Sequence, residues 1–258
     1  MMKNLWNGLC ITFSMYSIVP MPHVPWKREN MQYALCFLPL VGALIGLCEW
    51  LWFIFCFGAE AAPLFYAVGA TLLPVLISGG IHLDGLADTC DAMGSHAEPD
   101  KRLEIMKDPH MGAFGVLGMI AFLLGEIALF AQIYDKPYVL FPVWVGFVAA
   151  RMAGACAVVS IPCAKNTGLA FIFAGNSDRK AAERILRLEQ ICFAVIALLL
   201  QLQVYMVLLL VLYFAWSYVN QKLCMTRFGG ITGDLAGFLI STTELLFLAA
   251  AALGGLLL

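Results

Sequence analysis

Residues 191–219 read ICFAVIALLLQLQVYMVLLLVLYFAWSYV, and the division of this run sets the architecture of the whole chain. A membrane-crossing helix needs about 20 apolar residues. The run is too long for one comfortable crossing, and Gln201 and Gln203 interrupt its middle. Basic residues settle the division, because cytoplasmic loops of membrane proteins collect Lys and Arg. With a break at Gln201 and Gln203, one side holds Lys27, Arg28, Lys101, Arg102, Lys107, Lys165, Arg179, Lys180, Arg184, Arg187, Lys222 and Arg227. The other side then holds only Lys136, with Arg151 inside a span and Lys3 at the terminus. An unbroken run would carry Lys222 and Arg227 to the wrong face. The broken reading predicts about seven transmembrane helices. The other spans fall at residues 31–57, 62–78, 113–134, 138–161 and 231–258. The loops at 79–112, 162–190 and 220–231, and the segment 20–30, then face the cytoplasm.

Composition agrees. The chain has 258 residues, 62% hydrophobic and 12% charged, against roughly 25% charged in soluble domains. Its mean hydropathy is +0.87. The expected class is all-α: a polytopic membrane helix bundle forming one domain over residues 1–258, with no internal repeat. The 15 basic and 17 acidic residues nearly cancel, and nothing points to nucleic acid. The nine cysteines form no CxxC pair, so neither a zinc site nor a disulfide framework is expected. Residues 9–19 are apolar but contain Thr12, Ser14 and Ser17 and run into Pro20 without a small-residue cleavage site. They read as a retained helix along the interface, not a signal peptide.

Beside the second span, residues 79–115 read GGIHLDGLADTCDAMGSHAEPDKRLEIMKDPHMGAFG. Asp84, Asp88 and Asp91 recur at i, i+4 and i+7, within roughly 60° of one helical face. Three carboxylates so placed repel one another. A hard divalent cation relieves the conflict, and Mg²⁺ characteristically joins carboxylates to substrate phosphates. Acidic residues next to a bilayer are costly and tend to be functional. Gly85 is read as leaving room for a bulky ligand. His82, on the opposite side of the turn, is read as a packing or hydrogen-bonding residue of the substrate site, not a metal ligand. Lys107 and His110 are candidates for phosphate contact. Lys101 and Arg102 read as solvated.

Residues 228–237 read FGGITGDLAG. Asp234 stands at the mouth of the last span, on the same face as Asp84, and the glycines there, Gly233 among them, permit close approach of a phosphate or of a neighbouring helix. The pair of motifs predicts a shared metal–phosphate site. In the third loop Lys165 and Gly168 are candidates for contact with a large polar substrate. Within the spans Glu49, Glu126, Arg151 and Glu244 need partners. Arg151 is expected to pair with Glu126 or Glu244, or to reach an anionic substrate.

At these residues the chain resembles the cobalamin synthase family, the adenosylcobinamide-GDP ribazoletransferases. The resemblance is carried by residues 80–91 (GIHLDGLADTCD), by residues 103–106 (LEIM) with Asp108 and Gly112, by Arg151, and by residues 229–234 (GGITGD) with Gly237 and Glu244. It covers the chain from about residue 30 to its end. The family commonly has Arg where Lys107 stands, Ser at Pro109, Arg at His110, and Gly-Leu-Gly at residues 168–170.

The resemblance implies a multi-pass enzyme of a bacterial or archaeal cytoplasmic membrane, with its site facing the cytoplasm. It would join adenosylcobinamide-GDP to α-ribazole, or to its 5′-phosphate, and release GMP, late in cobalamin biosynthesis. Asp84, Asp88, Asp91 and Asp234 would be the catalytic carboxylates and hold Mg²⁺. His82, Gly85, Lys107, His110, Arg151, Lys165, Gly168 and Gly233 would contact substrate. The sequence leaves the oligomeric state open. CDP-alcohol phosphotransferases are set aside because Asp88 stands where their motif has Arg. Membrane prenyltransferases are set aside for want of an Asn-Asp opening. A cation transporter would carry its carboxylates deep within opposed helices.

Overall fold

A computed structural model describes residues 2–200 and 204–257, whose regular elements are helices, joined by one isolated bridge between Cys163 and Ile231. α1 (Met2–Tyr16) precedes the short α2 (Arg28–Met31), a 3-10 turn and α3 (Leu38–Gly58). Then come α4 (Pro63–Ser78), α5 (Ile81–Gly94), α6 (Pro99–Ile105) and α7 (Ala113–Ile133). The chain finishes with α8 (Leu140–Ser160), α9 (Leu169–Asn176), α10 (Arg179–Leu200), α11 (Val204–Phe228) and α12 (Gly233–Leu257).

Each expected span is occupied by a helix. Among the described residues five helices are long and apolar enough to cross a membrane. A sixth is reached only if α4 and α5, bent by 97°, are taken as one broken span. α4 has 16 residues with Pro74 inside it, and the first half of α10 carries Arg179, Lys180, Glu183, Arg184 and Arg187. The break at Gln201 and Gln203 lies outside the described residues; α10 ends at Leu200 and α11 starts at Val204.

α8 is the core of the bundle, and small residues let its neighbours come backbone to backbone, the usual device where lipid supplies no hydrophobic drive. A Cβ on Gly42 of α3 would stand 2.3 Å from the Phe147 carbonyl oxygen, and one on Gly46 would stand 2.7 Å from that of Trp144. On the other side Gly146 receives Phe247 of α12 and Gly154 receives Ile240. α1 packs on the 3-10 turn before α3, where the Thr12 hydroxyl donates to the Ala34 carbonyl at 2.6 Å.

The turn from α4 to α5 shapes the polar end. Gly79 (φ 66°) and Gly80 (φ 78°) are both left-handed, a conformation side chains with a Cβ resist. They turn α5 by 97° from α4, so that its later part, with Asp88 and Asp91, lies past the first residues of α12 and beside the start of α7, outside the membrane-crossing segments. α6 follows, and here the sequence reading of Arg102 as solvated is corrected. Its side chain is buried, donates to the Arg227 carbonyl at 3.2 Å and lies 5.9 Å from the Phe228 ring centre. Arg102 therefore clamps the Asp-rich loop to the end of α11.

Candidate active site

The two acidic motifs meet because glycines remove the obstruction between α5 and α12. A Cβ on Gly85 would come within 2.6 Å of the Asp234 carbonyl oxygen, and one on Gly237 within 3.2 Å of the His82 carbonyl oxygen. Gly85 thus faces the α12 backbone, not a ligand, which corrects its expected role. The result is that Asp84 and Asp234 stand on the wall of one cavity of about 290 Å³. Lys107, Lys165, Gly168 and Gly233 line the same cavity, as the sequence reading proposed for a substrate site.

A second device carries Lys165 there. The loop after α8 pairs with the loop before α12: Ala164 N–H donates to the Ile231 carbonyl at 2.9 Å, and Ile231 N–H to the Pro162 carbonyl at 2.8 Å. Gly230 (φ 156°) makes this possible, since a Cβ would lie 2.4 Å from the Pro162 oxygen. Thr232 then opens α12. Its hydroxyl accepts from the Leu235 N–H at 3.2 Å and donates to Asp234 Oδ2 at 3.4 Å, capping the helix and steadying the carboxylate.

Asp88 lies one turn along α5 from Asp84. Burial, then the carboxylates of Asp234, Asp84 and Asp91, push its carboxyl up from 3.8 to about 7 against the pull of Lys165. Burial likewise holds Lys165 below its ordinary value, opposed by Asp234 and Asp88. These charges therefore feel one another, which a set of separate surface residues would not.

Asp91 repels Asp88 with the others, but both of its oxygens are engaged elsewhere. Its Oδ2 accepts from Gly112 N–H at 2.7 Å and its Oδ1 from Gly115 N–H at 2.8 Å. It caps α7 from across the loop, satisfying amides that the first turn leaves orphaned. Asp91→Ala should therefore cost about 1–3 kcal/mol of stability, read by thermal denaturation in detergent. Turnover should fall only with the folded fraction. A folded but inactive variant would return Asp91 to the chemistry.

The other assigned residues separate. His110 is exposed, pairs with Asp108 at 2.8 Å and does not line the cavity. Arg151 is sealed inside the bundle, where its guanidinium donates to Glu244. It lines a smaller polar cavity with Glu126 and His82, not the larger one. His82 borders both cavities.

Sequence reasoning missed Tyr16, Thr167 and Thr232, which also line the larger cavity. Tyr16 ends α1, and its ring runs nearly parallel to that of His82, 11° apart at a 6.1 Å centroid distance. Nothing in local spacing points to it; Ile18 N–H bonding the Ile77 carbonyl at 2.8 Å is what brings that end of α1 to the site.

Whether the residues suit a metal is decided by donor chemistry. Asp84, Asp88 and Asp234 offer only carboxylate oxygens, the donors hard cations prefer. Among the described residues no three His, Cys, Asp or Glu side chains converge on one metal-sized position. The arrangement fits an ion held by one or two carboxylates, with water and substrate oxygens completing its shell, as Mg²⁺ usually is.

Comparison with known proteins agrees in extent. The family model described as cobalamin-5-phosphate synthase matches residues 8–252. An adenosylcobinamide-GDP ribazoletransferase of Lachnoclostridium phytofermentans is 35% identical over 243 residues, covering 93% of this chain and 91% of that one. One from Pseudomonas putida is 36% identical over 241 residues, 92% of this chain and 93% of its own. One from Clostridium botulinum is 28% identical and covers 98% and 99%. No solved structure matches the chain.

Proposed function

We propose a reaction for this chain on one premise: it belongs to the cobalamin-5-phosphate synthase family. It transfers the corrinoid-bearing phosphoryl group of adenosylcobinamide-GDP to α-ribazole or its 5′-phosphate. A hydroxyl oxygen of the ribazole forms a bond to the phosphorus carrying the corrinoid arm. The bond from that phosphorus to the bridging oxygen breaks, and GMP leaves with the electron pair. The hydroxyl proton passes to a carboxylate. The observation that carries this reading is the meeting of Asp84 and Asp234, from motifs far apart in sequence, on one cavity wall with Lys107 and Lys165.

Asp84 and Asp88 would hold Mg²⁺, which when bound neutralises charge on the pyrophosphate. Asp234, fixed by Thr232, orients the attacking hydroxyl and receives its proton. Lys107 and Lys165, lining the same cavity, hold the phosphates, and Gly168 and Gly233 leave their backbones open to approach. The test is direct. Purified protein in detergent is given adenosylcobinamide-GDP, α-ribazole or its phosphate, and Mg²⁺. GMP and the joined corrinoid are expected; absence of both sinks the proposal.

Mg²⁺ dependence follows from the crowding at Asp88. Without a cation Asp88 keeps its proton up to about pH 7, whereas the unfolded chain releases it near 3.8. Its raised value thus favours the fold at low pH, and that contribution is lost as pH rises through about 7. Mg²⁺ competes with this proton. Its stabilisation should be larger at about pH 8 than at about pH 6 and should lose that pH dependence in Asp88→Asn. Equal shifts in melting temperature at both pH values would remove Asp88 from the cation site.

The site end faces the cytoplasm in this reading, supported by the basic residues gathered there against Lys136 alone at the other end. Cysteines introduced at Ser95 and Asp135 should label from opposite sides of sealed vesicles. Labelling of both from one side overturns the orientation.

A further inference from the structure

Away from the acidic cavity, the segment before α3, the end of α8 and the start of α10 meet. Asp178 N–H donates to the Gln32 carbonyl at 3.2 Å, and the Arg179 guanidinium donates to the carbonyls of Val159 at 3.0 Å and Ile161 at 3.3 Å. A hollow of about 690 Å³ opens there, and Arg28, Arg179 and Lys180 line it against a single carboxylate, Asp178. That carboxylate is already engaged, since it accepts from the Ala181 N–H at 3.2 Å and caps α10. Arg28 and Lys180 are exposed, and neither belongs to an ion pair among the described residues. A second hollow, of about 710 Å³, adjoins the first. Gln32 lines one and Tyr33 the other; Lys180 lines one and Ala181 the other.

The second hollow is an apolar groove between α3, α8 and α10, walled by Leu40, Val148, Met152, Ile185, Phe193 and Ile196. It runs inward from the basic hollow. α10 starts beside the end of α8 at Arg179 and has reached its middle by Gln190, whose amide donates to the Tyr213 hydroxyl at 2.9 Å; that hydroxyl donates to the Ala149 carbonyl at 3.2 Å. Ile185 and Ile196 stand about 17 Å apart along α10, close to the depth of one leaflet, half of a hydrocarbon core roughly 30 Å thick. Leu40, Ile185 and Ile196 are exposed, so the groove opens to the bilayer. Its one acidic residue, Glu189, is about 13 Å along α10 from Lys180. We propose that the two hollows together hold one anionic phospholipid of the cytoplasmic leaflet, its phosphate on Arg28, Arg179 and Lys180 and a fatty chain in the groove. Charge complementarity selects this occupant. Three cations face one carboxylate, which is spent on the helix cap, so the cation of a zwitterionic headgroup finds no free partner. A soluble anion would leave the groove unfilled. Basic pockets between membrane helices on the cytoplasmic side suit anionic headgroups for the same reason. The bound lipid ties the segment before α3 to α10. This site is separate from the proposed reaction and shares with it only the orientation in the membrane.

The experiment titrates the intact, lipid-depleted protein in nonionic detergent with phosphatidylglycerol or with phosphatidylcholine of the same chains. Native mass spectrometry counts bound lipid, and melting temperature reads its stabilisation. Phosphatidylglycerol should bind about tenfold or more tighter than phosphatidylcholine. Arg28→Gln/Lys180→Gln should abolish that preference, and Ile185→Trp, which fills the groove, should weaken both lipids. These side chains are exposed or half out of the core, so the variants should keep the wild-type melting temperature in lipid-free detergent. Lys222→Gln/Arg227→Gln removes two exposed basic residues elsewhere and should keep the preference. Inorganic phosphate in excess should not displace the lipid. Equal binding of the two lipids by the wild type, equal loss in the two double variants, or unchanged binding in Ile185→Trp would overturn the site. Displacement by inorganic phosphate would assign the basic hollow to a soluble anion, and a dimer that excludes the lipid would assign the groove to a second copy of the chain; each overturns the proposal. None of these readouts depends on release of GMP.

Discussion

Asp84→Asn should reduce GMP release by about 10³-fold or more while the protein stays folded. The magnitude follows from what the carboxylate is asked to do. Displacement at a pyrophosphate needs its charge neutralised and its phosphorus held in line, and losing one preorganised charged or dipolar group at such a centre costs about 10²–10³ in rate. Loss of a carboxylate that would hold the cation removes more, because charge neutralisation and positioning fail together. The fold should not suffer. Asp84 adds to the repulsion that raises Asp88, so the neutral isostere relieves strain in the metal-free protein. The melting temperature should hold or rise slightly, and Asp88 should titrate lower. The combination separates chemistry from structure: turnover measured by GMP release collapses, while thermal denaturation and helical content do not. A rate near the wild type would strike Asp84 from the mechanism. Collapse of the fold would mean that the carboxylate is structural, as Asp91 is.

The contrast between Asp84 and Asp91 marks how far the sequence could be read. The spacing of Asp84, Asp88 and Asp91 places all of them on one helical face, and that much is local geometry. Which element arrives opposite each residue is not local. α12 comes to Asp84 and Asp88, bringing Asp234, whereas the start of α7 comes to Asp91 and takes both its oxygens. A periodicity cannot tell these apart. Gly85 has the same history: the residue was visible, but the backbone of Asp234 filling its space depends on a helix from the far end of the chain. Arg102 looked solvated because α6 is short and charged, and only the Phe228 ring and the Arg227 carbonyl make its burial affordable. Tyr16 carried no signal at all. The bundle itself was legible from hydropathy and the basic loops. The number of crossings turns on α4, shortened by the glycine turn at its end, and on α10, which is amphipathic.

Arg151→Met should be the most destabilising single change in the bundle interior, at about 3–5 kcal/mol. Arg151 is only 1% exposed and its guanidinium donates to Glu244, itself nearly buried. Charges within a membrane protein survive only when paired, and Met leaves Glu244 and Glu126 with no cation beside them. The reverse change is milder. In Glu244→Gln, Arg151 still has Glu126 within Coulombic reach, and Gln still offers an oxygen to the guanidinium. The cost there should be about 1–2 kcal/mol. The double variant Arg151→Met/Glu244→Leu should recover much of the loss, because replacing a buried pair by apolar groups of similar volume is often near neutral. Thermal or denaturant unfolding of these three variants and of Glu244→Leu in one detergent closes the cycle. The order expected is Arg151→Met least stable, then the double variant and Glu244→Gln together, then wild type. Additive losses in the double variant would mean that the two side chains do not interact. The same measurement assigns Arg151 its role, since a residue that only holds the bundle together loses turnover in step with stability. One that reaches substrate loses turnover first.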